Sequence, residues 1–160
     1  MASNRPLKLD AWGISWEEYK ELTYFCLQYE QKKREAAALL TLKLSTPVPE
    51  IYHKNGKEYG TFMPHGSGHV SDPTAATAAK RDRLLRDVRM IEQAAEAACR
   101  DAGEGMYPAL VRAVTTRCGV QAVYADPDKR PPLGERQFYS LRRKFFWILR
   151  EMRAGDIEVI

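Results

Sequence analysis

The stretch Ser71–Asp101, SDPTAATAAKRDRLLRDVRMIEQAAEAACRD, decides the fold. Its opening is a helix start: Asp72 is suited to accept a backbone N–H bond as N-cap, and Pro73 at the first helical position gives up no hydrogen bond. From there to about Asp101 no residue breaks a helix. Leu84, Val88, Ile91, Ala95 and Ala98 recur at steps of four, three, four and three, a heptad-like seam extended backwards by Thr77 and Arg81. A helix over about 73–101 spans roughly 40 to 45 Å, longer than a domain of this size is wide. Two uses of the seam stay open, packing within the chain on the first helix and pairing with a second copy as a homodimer.

Upstream, Ser15 to about Leu40 reads as one helix. Ser15 followed three residues later by Glu18 is a capping box, and Tyr19, Leu22, Cys26 and Tyr29 form an apolar stripe suited to a core. Between Ser45 and Val70 the frequent Pro and Gly exclude a long helix, and Asn55-Gly56 sits between two short strand-like runs. That dipeptide favours a type I′ turn, so a small β-hairpin is expected at about 49–62. An isolated hairpin is marginal in water and needs a helix or a partner to lean on.

Downstream, Gly103 and Gly105 end the long helix, and Met106–Cys118 reads as a short helix with Tyr107, Leu110, Val111 and Val114 on one side. The segment from Val120 to Leu133 holds Pro127, Pro131 and Pro132 and reads as extended or loop-like. The last helix opens near Gly134 and runs to about Arg153. Its inner stripe is Phe138, Leu141, Phe145, Ile148 or Leu149, and Met152; its other side displays Arg136, Gln137, Ser140, Arg143, Lys144, Trp147 and Arg150. The expected fold class is therefore mainly α. It is a helical bundle with one long central helix, a small β-hairpin insertion and a C-terminal helix-turn-helix-like unit. Residues 1–105 form the helical body and 106–160 a basic module.

With 160 residues, 44% hydrophobic and 29% charged, the chain falls in the range of a single globular domain, which excludes collagen-like and low-complexity classes. No apolar run approaches the roughly 18 to 20 residues needed to cross a bilayer, and the first ten residues lack the apolar core of a secretory signal. Cys26, Cys99 and Cys118 are odd in number and widely spaced, as expected of reduced thiols in a cytoplasmic protein. The net charge of +4 is unevenly placed. Lys129 to Arg153 carries eight basic residues against Glu135 and Glu151, a surplus of six, while all other positions together carry a deficit of two. Such an asymmetry points to a polyanionic partner.

Catalytic and metal-binding patterns are weak. His65 and His69 are separated by two glycines and have no cysteine or carboxylate pair close by, and Gly66-Ser67-Gly68 lacks the Gly-Lys-Ser/Thr ending of a phosphate-binding loop. The expectation is a protein without catalytic residues, metal or cofactor. The terminal helix carries the stronger signal. An apolar stripe that must dock on a core faces a row with short polar side chains near its N-terminal end and cations further along, which suits a helix lying in the major groove. On this reading Arg136, Gln137, Ser140 and Arg143 contact bases. Lys129, Arg130, Lys144 and Arg150 contact phosphates, and Trp147 adds aromatic surface.

The blocks Tyr19-x-x-Leu22-x-x-Phe25-Cys26-Leu27-Gln28-Tyr29, Ser71-Asp72-Pro73-Thr74, Ile91-Glu92-Gln93 and Gly134-x-Arg136-Gln137-Phe138-Tyr139-x-x-Arg142-Arg143-Lys144-Phe145-Phe146 resemble a group of small phage and prophage proteins of Gram-positive bacteria. In layout the chain is similar to the RinA/ArpU-type phage late-gene transcription regulators. The resemblance implies a sigma-factor-like C-terminal helix-turn-helix, with Met106–Cys118 as scaffold helix and Gly134–Arg153 as recognition helix. The separation of these helices, some fourteen residues, departs from the usual short turn. The leading expectation is a dimeric DNA-binding transcription regulator reading duplex DNA. An alternative is an anti-CRISPR-type inhibitor that binds a host nuclease or its nucleic acid, using the hairpin aromatics Tyr52, Tyr59 and Phe62. A small terminase-like packaging protein is the third reading, and host RNA polymerase is a further partner class.

Overall fold

The computed structural model describes residues 9–42, 52–54, 57–59, 73–103, 105–117 and 120–155. The chain is mainly helical. A single 3-10 turn, Asp10–Trp12, leads into α1 (Trp16–Leu27) and α2 (Tyr29–Leu42); β1 (Tyr52–Lys54) and β2 (Lys57–Tyr59) follow, then α3 (Pro73–Cys99), α4 (Met106–Thr115), α5 (Val120–Ala125), a second 3-10 turn (Pro127–Lys129) and α6 (Glu135–Ala154).

The capping box is present: the Glu18 amide donates to Ser15 Oγ at 3.2 Å, and the Ser15 amide donates to Glu18 Oε2 at 2.8 Å. The single helix expected over 15–40 is two. The ladder breaks at Gln28 and starts again with the Lys32 amide donating to the Gln28 carbonyl. The break gives each half its own partners. α1 packs on α4 and α6, whereas α2 packs on α3. The α2–α3 pair is antiparallel, pinned by Tyr29 hydroxyl to Glu92 Oε1 (2.5 Å), Lys32 to Asp87 (2.6 Å) and Lys80 to Glu35 (2.6 Å).

The seam of α3 is used within the chain. Val88, Ile91, Ala95 and Ala98 are all buried in the core cluster, together with Ala94, so these four do not serve a homodimer; Leu84 is half-buried. The small side chains Ala94, Ala95 and Ala98 keep this part of α3 slim where α6 and α4 close on it. The N-cap expected at Asp72 lies outside the described residues.

The strands pair antiparallel in the register Tyr52 to Tyr59, His53 to Glu58 and Lys54 to Lys57. The remainder of 49–62, including the expected type I′ turn at Asn55-Gly56, lies outside the described residues.

Val120–Leu133 is not a loop throughout. Its first six residues form α5, which buries Val120, Val123 and Tyr124. Those positions follow the i, i+3, i+4 rule, and a helix this short forms by burying that face rather than by its own propensity. The Tyr124 hydroxyl donates to the Leu133 carbonyl at 2.5 Å and its ring meets Phe138 edge-on, tying the end of the connection to the first turn of α6. α6 opens at Gly134 and closes at Gly155, whose positive φ of 85° lets its amide donate back to the carbonyls of Glu151 and Met152. Phe138, Leu141, Phe145, Phe146, Ile148, Leu149 and Met152 are its buried face. One continuous core cluster runs from Leu9 to Met152 and includes residues on both sides of position 105.

Candidate nucleic-acid interface

Arg136, Arg143 and Arg150 recur at seven-residue steps, nearly two full turns, and so form one stripe along α6 at intervals of about 10.5 Å. The members of the stripe differ in what already holds them. Arg150 Nε lies 3.5 Å from Glu18 Oε1, and its Nη1 donates to Glu151 Oε1 at 3.2 Å. Arg136 is exposed and has no carboxylate partner among the described residues. Arg143 is half-buried, has no carboxylate partner among the described residues either, and its Nε is buried with no hydrogen-bond partner. A buried N–H left unpaired costs roughly 1 to 3 kcal/mol, more where the group is charged.

The other expected cations are placed differently. The Arg130 side chain caps α5, its Nε and Nη2 both donating to the Tyr124 carbonyl at 3.2 and 3.1 Å. Lys144 Nζ lies 3.6 Å from Asp101 Oδ2 at the end of α3. The Lys129 side chain lies outside the described set. Arg142, which sequence reading did not assign, sits 5.7 Å above the Phe146 ring, and its Nε, like that of Arg143, is buried with no hydrogen-bond partner. Arg153 and Lys32 both sit over the Phe25 ring, at 4.9 and 4.2 Å.

Trp147 is half-buried and leans on Trp12, with ring centroids 6.2 Å apart. The first 3-10 turn thus lies over this part of α6, anchored by Leu9 and Ile14, each at most 3% exposed. A Cβ placed on Gly13, φ +67°, would meet Arg150 Nη1 at 4.0 Å, so the turn also abuts the last arginine of the stripe. Gln137 and Ser140 are exposed and line a cleft of about 380 Å³ with Trp12, Asp101, Leu133 and Lys144. Trp12, Asp101 and Leu133 were not picked out by the sequence reading. Leu9 and Ile14, one on each side of the turn, were the available hint that it is anchored.

Compared with family models, curated proteins and solved structures, the chain matches none. The assignment of a function therefore rests on the geometry and on the resemblance noted above.

Burial pushes the Cys26 thiol up to about 12, and that of Cys99 up to about 11, so both are protonated thiols at neutral pH and poor nucleophiles. Burial, then the hydrogen bond to Glu92, raises Tyr29 above the ordinary phenol range. The carboxyl of Glu18 is held below its ordinary value, first by the backbone N–H of Ser15 and further by the Ser15 hydroxyl and Arg150. Among the described residues no group of three or more His, Cys, Asp or Glu side chains is placed to hold a metal ion, and no helix is long and apolar enough to cross a membrane. His65 and His69 lie outside the described residues.

Proposed function

We propose that this chain binds duplex DNA through α6, with Arg136 and Arg143 on backbone phosphates. On the resemblance of the 134–146 block, its target is the promoter region of phage genes. The observation that carries the reading is the state of the arginine stripe. Arg150 is satisfied inside the molecule by Glu18 and Glu151, while Arg136 and Arg143 have no carboxylate partner among the described residues. A guanidinium offers donors in a planar fork that matches phosphate oxygens.

The helix-turn-helix unit is part of this proposal. α4 and α6 would serve as scaffold and recognition helices, joined by α5 where a plain unit has a short turn. In this arrangement α6 presents its N-terminal half, which carries Arg136 and Arg143.

Fluorescence anisotropy with a labelled duplex tests the reading. The double variant Arg136→Ala/Arg143→Ala is expected to lose about tenfold or more in affinity at low salt. Unchanged binding by that variant overturns the assignment.

A further inference from the structure

Gln137, Ser140 and Lys144 follow one another at steps of three and four and share one side of α6. That side is concave. A shallow depression of about 380 Å³, open to solvent, lies there, bordered by Trp12 from the N-terminal turn, by Ala98 of α3, by Asp101 and Ala102 just beyond α3, and by Leu133. Its volume lies within the range of roughly 300 to 1,000 Å³ typical of small-ligand sites. A helix that reads the major groove presents a convex row to base pairs still in the stack. Polar side chains set in an open depression beside an indole suit one planar ring that has left the stack.

The lining has the chemistry for such a ring. Trp12 supplies an aromatic surface, and stacking on an aromatic face is open to every base. Its indole leans on that of Trp147, ring centroids 6.2 Å apart. The Gln137 amide carries an acceptor and donors side by side, the pattern complementary to the N6 and N7 atoms of adenine. The Ser140 hydroxyl donates or accepts, and Lys144, 3.6 Å from Asp101, sets a charged pair in the lining. Arg136 and Arg143 each directly precede a cleft residue in sequence, Gln137 and Lys144, so the phosphate-contacting stripe borders the cleft.

We propose that this cleft receives a single unstacked base, adenine in preference, from a nucleic acid whose backbone lies along Arg136 and Arg143. The inference rests on the DNA-binding reading above and narrows it to DNA with an extrahelical base. A base that is already bulged needs no unpairing, so bulged DNA binds more tightly than a fully paired duplex.

Anisotropy with the full chain and three labelled probes tests this: a blunt duplex, the same duplex with one bulged adenine, and the same with one bulged thymine. The bulged adenine is expected to gain roughly tenfold over the blunt duplex, equivalent to about 1.4 kcal/mol. Trp12→Ala removes that gain and leaves the blunt duplex unaffected, whereas Trp12→Phe retains most of it. Gln137→Ala, at an exposed position, keeps the fold and erases the preference for adenine over thymine. Equal affinity for blunt and bulged probes overturns the inference, as does a Trp12→Ala effect that falls alike on all three. If Trp12→Ala fails to fold, Trp12→Phe and Gln137→Ala decide the matter. Blunt-duplex binding that depends on Arg136 and Arg143 but gains nothing from a bulge refutes the cleft alone; binding of no probe, or indifference to those arginines, refutes the DNA-binding reading itself.

Discussion

The salt dependence of DNA binding follows from which cations the fold leaves open. Each phosphate neutralised on duplex DNA contributes about −0.9 to the slope of log K against log salt. The interface expected from the sequence holds six of the eight cations between Lys129 and Arg153: Lys129, Arg130, Arg136, Arg143, Lys144 and Arg150. If all six met phosphates the slope would be about −5.4, and a rise from about 50 to 200 mM salt would weaken binding roughly 1,800-fold. In the structure Arg130 caps α5, Lys144 pairs with Asp101 and Arg150 pairs with Glu18 and Glu151. Lys129 has a side chain outside the described residues; of the other five only Arg136 and Arg143 stay open, and with these two the slope per chain is about −1.8, so the same rise in salt costs only about 12-fold. A salt titration of a labelled duplex, followed by anisotropy, measures the slope directly. Arg150→Ala should leave it unchanged, and Arg143→Ala should lower its magnitude by about 0.9. A measured slope near −5, or a drop for Arg150→Ala equal to that for Arg143→Ala, would refute the reasoning that intramolecular pairs withdraw the other cations.

Three further outcomes follow from the packing and the charges. Ile91→Ala, at a fully buried site, should cost about 2 to 5 kcal/mol and lower the melting temperature by roughly 5 to 15 °C in a thermal scan. Tyr124→Phe removes the hydroxyl that donates to the Leu133 carbonyl and should cost about 1 kcal/mol in a denaturant titration, with the slope of the transition unchanged. Glu18 has a depressed folded-state value, so its contribution to stability is complete above its unfolded value and is lost as pH falls through the folded one. Glu18→Gln should therefore be less stable than the parent at neutral pH, and the difference should shrink on acidification below the ordinary carboxylate range.

The parts of the fold written in local patterns were legible in the chain. Ser15 with Glu18, the step pattern from Val88 to Ala98, and the apolar stripe of α6 are decided by residues within a turn or two of one another. The break at Gln28 was not visible, because no helix breaker stands there; the bend exists because α1 and α2 pack on different helices. α5 was obscured by Pro127, Pro131 and Pro132 just beyond it, although Val120, Val123 and Tyr124 carry its period. The heptad-like seam could not by itself choose between another chain and its own, and the structure buries Val88, Ile91, Ala95 and Ala98 within the chain. The cations of α6 were correctly located along the sequence, but a charge count cannot tell that Asp101 and Glu18, far away in sequence, have already engaged two of them. For the same reason Trp12 went unnoticed as a neighbour of the candidate site.

The meeting of Trp12 with Trp147 has a consequence for the order in which the molecule is assembled. The α2–α3 pair joins neighbouring helices, but the first turn must find a helix more than a hundred residues later. Closing so large a loop costs entropy that other contacts must offset, which places this step late in folding. During synthesis the turn emerges long before α6 exists, so Leu9, Trp12 and Ile14 wait without their final neighbours. The side of the depression formed by Trp12 is accordingly completed only after α6 has been made.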